Sequence, residues 1–233
     1  PPAGEIAIGL PGDEEIAIGL PGDGSGNIQD GSGPSKILIG SPDDDLFIVD
    51  DLGDRVIEEI NGGTDIVETS VDFTLPDNVE NGTLTGEIAI ELTGNELDNI
   101  LIGNAEDNLL SGLDGKDYLN GGLGNDTLVG GGGDDTYYVI IQDGLEYTSL
   151  ITLPDSIEEL EQGGFDTLIL ETNRFGVTAF TLPEIAVEKL ILFTSNDRNG
   201  QSNIFRGNSL DNEIHGSAGD STRIYGGLGN DIL

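Results

Sequence analysis

The residues best placed to do chemistry are aspartates held in fixed phase with glycine. Gly94, Gly103, Gly112, Gly121 and Gly130 fall at a nine-residue step and head the blocks GNELDNILI, GNAEDNLLS, GLDGKDYLN, GGLGNDTLV and GGGGDDTYY. Position 6 of these blocks reads Asn99, Asn108, Asp117, Asp126 and Asp135, and position 8 reads Leu101, Leu110, Leu119, Leu128 and Tyr137. Glycine at positions 1, 2 and 4 permits positive φ and aims carbonyl oxygens into the space between turns. Carbonyls and carboxylates, with no nitrogen or sulfur ligand, suit a hard cation bound at about 2.3–2.6 Å, which favours Ca2+ over Mg2+ or zinc. The chain has 8 Lys and Arg against 45 Asp and Glu, a formal charge of −37, so stacked carboxylates must be neutralised largely from outside.

The element that positions these groups is a short strand. In GGLGNDTLV six small or turn-forming residues precede three of strand type, and such a strand buries only its central side chain, Leu128. One repeat cannot fold alone; two make an 18-residue coil with a turn on each edge, and coils must stack. Stacking sets turns two repeats apart over one another, which brings Asp117 over Asp135. Weaker copies begin at Gly22, Gly31, Gly40, Gly207 and Gly216, and a truncated GGLGNDIL begins at Gly226. The degenerate blocks at 31, 40 and 94 are expected to close their turns with Asn side chains and backbone hydrogen bonds.

A longer period lies over the short one. LFIVD, GGTDIV, FTLPDNVEN and LTGNELDNILIG, in residues 45–103, recur at 135–216 as TYYVI, GGFDTL, FTLPEIAVEK and FRGNSLDNEIHG. EIAIGLPGD occurs at residues 5–13 and again at 15–23, with Ile alternating as in a half-buried strand. No window keeps an apolar stripe at helical spacing. The expected fold is all-β, a parallel β-roll or β-helix solenoid with irregular coils between the nonapeptide stretches. Three parts are expected: strand repeats at 1–30 that cap or assemble, a first solenoid module at 31–138 with the best repeats at 94–138, and a second module at 139–233.

GGLGNDTLV fits every fixed position of GGxGxDxUx, GGGGDDTYY fits with Tyr137 as the apolar residue, and GLDGKDYLN departs only at Leu113. On these blocks the sequence resembles the RTX, or hemolysin-type, calcium-binding proteins, whose nonapeptide forms a parallel β-roll. The resemblance implies ions held between turns of one edge by turn carbonyls and position-6 Asp. Carried over, one site joins Gly112, Gly115 and Asp117 with Gly130, Gly131, Gly133 and Asp135. On the opposite edge Gly121, Gly122, Gly124 and Asp126 face the Gly103 turn, whose position 6 is the neutral Asn108. Gly226, Gly227, Gly229 and Asp231 match the ligand positions of the truncated block, with Asn212 beneath Asp231. The TLPDNVEN segment is similar to spacers between such repeats in large bacterial surface proteins.

Composition narrows the function. The acidic balance excludes most nucleic-acid readers. Leu, Ile, Val and Phe form about 30% of the chain, above the roughly 20% that marks disorder, so a core is expected. Cysteine and methionine are absent, which removes disulfides and thiol catalysis and leaves residue 1 reading as the start of a processed chain or fragment. No apolar run reaches the roughly 18 residues of a membrane span. No HExxH or GxSxG motif is present, and the single histidine, His215, reads as a surface residue, so no catalytic residue is expected. Asp43, Asp44 and Asp45 read as solvated turn charges, and the FTLP segments as corners where proline ends a strand. The expected function is a calcium-binding structural module of a secreted or cell-surface protein, an adhesin, surface layer or filament, able to associate head to tail with copies of itself. A polysaccharide-binding module and the noncatalytic segment of a secreted enzyme or toxin are the alternatives.

Overall fold

The computed structural model describes residues 5–9, 15–19, 28–33, 35–88, 90–141, 155–159, 164–172, 179–182, 185–194, 204–216 and 223–233. These residues form strands, turns and bends, with no helix among them. The weak repeat copy that starts at Gly22 lies outside the described residues at its head.

The chain winds as a β-solenoid with one long face and one divided face. On the long face the strands Ile28–Asp30, Leu46–Val49, Ile66–Thr69, Asn81–Leu84, Ile100–Ile102, Tyr118–Asn120, Thr136–Ile141, Thr167–Thr172, Lys189–Thr194 and Glu213–His215 pair in that order, each parallel to the next. Opposite them lie three shorter sheets. One runs Phe73–Thr74, Glu91–Thr93, Leu109–Asp114, Thr127–Gly132, Ser156–Glu158; another is Ala179–Thr181, Ile204–Arg206, Arg223–Tyr225. The third holds Glu5–Gly9, Glu15–Gly19, Lys36–Ile39 and Arg55–Ile57, and in it the two EIAIG strands pair antiparallel, Ile6 opposite Ile18. The strand Thr136–Ile141 spans residue 138, so the long face runs without a break across that position.

Register follows the sequence period. Ile100 pairs with Tyr118 and Tyr118 with Thr136, a step of 18 that superimposes every second nonapeptide. The position-8 residues Leu101, Leu119 and Tyr137, continued by Leu168 and Leu190 of the irregular coils, then form one buried column on the long face, and Leu92, Leu110, Leu128 and Ile157 form another on the opposite face. Each fully buried leucine contributes roughly 1.5–3 kcal/mol, gained only when neighbouring coils are present to cover it. Coils are irregular outside the nonapeptides: the step is 20 residues from Asp45 to Asp65 and 31 from Asp135 to Asp166. At the FTLP corner the strand Phe73–Thr74 is followed by buried Leu75 and then Pro76.

Candidate metal centre

Each coil enters its long-face strand through a carboxylate or amide residue, and the coil spacing converts those residues into a ladder along one edge. The backbone N–H of Asn99 donates to Asp117 Oδ1, that of Asp117 to Asp135 Oδ1 and that of Asp135 to Asp166 Oδ1, each at 2.8 Å. Asp166 N–H continues to Glu188 Oε2 at 2.9 Å. Lower on the same edge Asp45 N–H donates to Asp65 Oδ1 at 2.7 Å and Asp65 N–H to Glu80 Oε2 at 2.8 Å. Near the end Asn212 N–H donates to Asp231 Oδ1 at 2.9 Å. A shorter ladder on the opposite edge runs from Asn108 N–H to Asp126 Oδ1, 2.8 Å, and from Asp126 N–H to Asp155 Oδ1, 3.1 Å.

Each ladder bond uses one carboxylate oxygen, and the other points into the turn. Oδ2 of Asp65, Asp117, Asp126, Asp135 and Asp166 is buried and has no hydrogen-bond partner in the protein. Such groups are rare and each calls for a ligand or a proton. Those of Asp117, Asp126 and Asp135 lie beside the glycines that open their turns, and at Gly112 a backbone oxygen joins them. A Cβ placed on Gly112 would lie 2.1 Å from Asp117 Oδ2 and 2.7 Å from the Gly130 carbonyl oxygen, so these oxygens from successive coils converge beside that glycine. At Gly121 the corresponding distance to Asp126 Oδ2 is 2.2 Å, and at Gly226 it is 2.0 Å to Asp231 Oδ2. The turns close only with glycine at certain positions: Gly133 has φ +137, and a Cβ there would sit 1.6 Å from the Gly115 carbonyl oxygen of the coil below. Leu113, the departure from the repeat at position 2, is held at φ 82, where a non-glycine residue is strained.

The electrostatics show what the turns lack. Burial, reinforced by Asp135, Asp98 and Asp114, pushes the Asp117 carboxyl up to about 7. Burial also raises Asp155 and Asp166 to about 7, with Asp126 adding repulsion at the first and Glu159 at the second. Asp126 and Asp135 are raised by the same cause. The backbone N–H donors oppose these shifts without cancelling them. Among the described residues, the ion pairs of Lys116 with Asp134 and Lys189 with Glu213 lie off the ladder. A donor set of carboxylate and carbonyl oxygens, buried and short of positive charge, fits a calcium ion.

A comparison with known families agrees with this geometry. The RTX calcium-binding nonapeptide repeat matches in four copies, over residues 93–128, 111–139 and 206–233. The chain carries RTX repeats. Repeats of that kind bind calcium, and the β-solenoid they build here is a structural module. No curated protein and no solved structure matches the chain significantly.

The RTX positions named from sequence fall as follows. Asp117, Asp135 and Asp231 stand on the long-face ladder, and Asp126 stands on the opposite edge above Asn108. Gly112 and Gly130 meet at one space, and Gly131 and Gly133 pack over the Leu113 and Gly115 carbonyls. Gly122 and Gly124 pack over the Asn104 and Glu106 carbonyls, and Gly227 and Gly229 over those of Asn208 and Leu210. The free oxygen of Asp135, however, shares its space with Glu159 and Asp166 of the following coil. The degenerate turn at 94 is closed by amides: Asn95 N–H donates to Asn99 Oδ1 at 2.7 Å.

Asp45 corrects the reading of Asp43 to Asp45 as solvated charges. It is buried and accepts from Ser41 N–H at 2.5 Å, whereas Asp44 is exposed. Asp155 and Asp166 are ladder members that the nonapeptide step does not reach, because their coils differ in length. The signal that finds Asp166 is shorter than nine residues, and Asp155, preceded by Leu153 and Pro154, does not carry it. Gly164-Phe165-Asp166 stacks on Gly133-Asp134-Asp135: Phe165 N–H donates to Asp134 Oδ1 at 3.0 Å, and a Cβ on Gly164 would meet the Gly133 carbonyl oxygen. Gly-x-Asp-x-apolar is therefore a unit that the ladder shares outside the nonapeptides, and GGTDIV and GGFDTL both contain it. His215 is exposed beside Glu213.

Proposed function

We propose that this chain is a calcium-stabilised structural module of a secreted or cell-surface bacterial protein, in which ions seated along the edges of the solenoid lock successive coils together. The carrying observation is the row of buried carboxylate oxygens without protein partners, of which Asp117 Oδ2 converges with the Gly130 carbonyl oxygen beside Gly112. The RTX match supports the same ion, and proteins with such repeats are typically secreted. The ligands assigned to the module are the turns at Gly112–Asp117, Gly121–Asp126, Gly130–Asp135 and Gly226–Asp231. Among the described residues no helix is long and apolar enough to cross a membrane.

The test is thermal melting followed by far-UV circular dichroism in millimolar calcium and in EDTA. Each site at about 100 times its Kd adds roughly 2.7 kcal/mol, and a kcal/mol moves the midpoint of a domain this size by about 2–4 °C. Calcium is expected to raise the midpoint by well over 10 °C; equal melting in both conditions would overturn the reading.

A further inference from the structure

The two long-period modules each contain a carboxylate cluster that the nonapeptide pattern does not describe. In the first, oxygens of Asp45, Glu58 and Asp65 lie within 4.8 Å of one another, and all three residues are buried. In the second, oxygens of Asp135, Glu159 and Asp166 do the same. Aligning DRVIEEINGGTD with DSIEELEQGGFD places Glu58 on Glu159 and Asp65 on Asp166. The surroundings correspond as well: Glu80 Oε2 accepts from Asp65 N–H, and Glu188 Oε2 accepts from Asp166 N–H. One constellation has been built twice, around coils of 20 and 31 residues.

A cluster of acids alone is no site, but here Glu58, Asp65, Asp135 and Asp166 each present a buried oxygen that lacks a hydrogen-bond partner. Glu58 is 7% exposed and Asp65 0%, yet Glu58 Oε2 and Asp65 Oδ2 have no hydrogen-bond partner in the protein. Asp135 and Asp166 each present an unpartnered Oδ2 in the second copy. Three other oxygens of the first cluster are fixed by backbone donors: Asp45 Oδ2 accepts from Ser41 N–H, Asp65 Oδ1 from Asp45 N–H and Glu58 Oε1 from Glu59 N–H. Glycine makes room: a Cβ on Gly40 would sit 1.7 Å from Glu58 Oε2, and one on Gly130 would sit 2.8 Å from Glu159 Oε2. Two oxygens that share a cation at about 2.3–2.6 Å can stand no more than about 5 Å apart, a limit both clusters meet.

We propose that Asp45, Glu58 and Asp65, and again Asp135, Glu159 and Asp166, form a second class of calcium site in which a glutamate from the divided face replaces the glycine-turn carbonyls of the nonapeptide. The site ties a non-nonapeptide coil to its neighbours, so the first module gains an ion clamp in a stretch where the RTX match is absent. Three carboxylates call for a divalent rather than a monovalent ion, and all-oxygen ligation without a rigid octahedron favours calcium. The copies differ in one respect. Tyr137 donates its hydroxyl to Glu159, whereas Phe47 occupies the equivalent place, so Glu58 offers its Oε2 without that competitor and the first copy is the tighter.

This inference rests on the calcium reading above, and the experiment separates the two. Bound calcium per chain is counted by native mass spectrometry, with calorimetric affinities, for wild type, Glu58→Gln, Glu159→Gln and Asp117→Asn. Glu58→Gln keeps the oxygen that accepts from Glu59 N–H, and each glutamine variant is expected to lose one ion while Asp117→Asn loses a different one. Wild-type stoichiometry and affinity in both glutamine variants would overturn the second class of site and leave the nonapeptide sites standing. A wild-type chain that binds no calcium would instead overturn the broader reading. Tb3+ gives a readout on the unmutated fold: emission sensitised by Tyr137 is expected and should fall in Tyr137→Phe, a substitution that Phe47 shows the fold accepts. Emission unchanged in Tyr137→Phe and Glu159→Gln places no ion at the second copy and counts against the proposal.

Discussion

Replacing Asp117 by asparagine separates the two roles of a ladder carboxylate. The amide oxygen can still accept from Asn99 N–H, as Oδ1 does at 2.8 Å, while the second atom becomes a donor that cannot ligate a cation. Without calcium, a carboxyl standing near 7 instead of 3.8 costs the charged folded chain up to about 4 kcal/mol at pH 8. Asparagine removes that cost. It introduces a buried N–H2 group worth roughly 1–3 kcal/mol if unpaired, with the Gly130 carbonyl oxygen close by to receive it. In EDTA at pH 8 the variant should therefore be the more stable chain by about 2 kcal/mol, or roughly 4–8 °C in melting midpoint. Saturating calcium reverses the advantage in part or whole, because wild type gains about 2.7 kcal/mol at 100 times Kd from a site that the variant lacks. The assay is melting by circular dichroism at several calcium concentrations. A variant that is less stable than wild type in EDTA, or that responds equally to calcium, would refute the reasoning, since either result makes Asp117 an ordinary turn cap.

Two further outcomes are expected. Glu58, Asp117, Asp155 and Asp166 are all raised to about 7, chiefly by burial, so the calcium-free fold holds protons that the unfolded chain has released. Its stability is then full below about pH 4 and declines as pH rises through 7, while the calcium-induced gain grows over the same range; an EDTA midpoint that stays flat or climbs between pH 5 and 8 contradicts this. Leu113→Gly should raise the melting midpoint in calcium by the equivalent of about 1 kcal/mol, because it relieves φ 82 at an exposed side chain and restores the repeat; a lowered midpoint means that the leucine packs more usefully than its backbone strains.

The sequence by itself determined the coil. A nine-residue step with glycine at the turn and one apolar residue per strand leaves few ways to bury Leu119 and Leu128 other than stacking two repeats per turn, and the 18-residue register follows. The chemistry of the nonapeptide turns was legible for the same reason, since position-6 aspartates at fixed phase must stand over one another. Only the tertiary structure decided which oxygen of each aspartate is engaged, because the ladder N–H takes Oδ1 and leaves Oδ2 to the turn. It also decided that Asp155 and Asp166 extend the ladders, that Asp45 is buried, and that Glu58 and Glu159 reach into them. Those residues come from coils whose lengths break the nine-residue period, and a repeat read along the chain has no phase there. In space the phase is restored, because parallel strand pairing aligns Thr136 with Thr167 whatever length of chain lies between them.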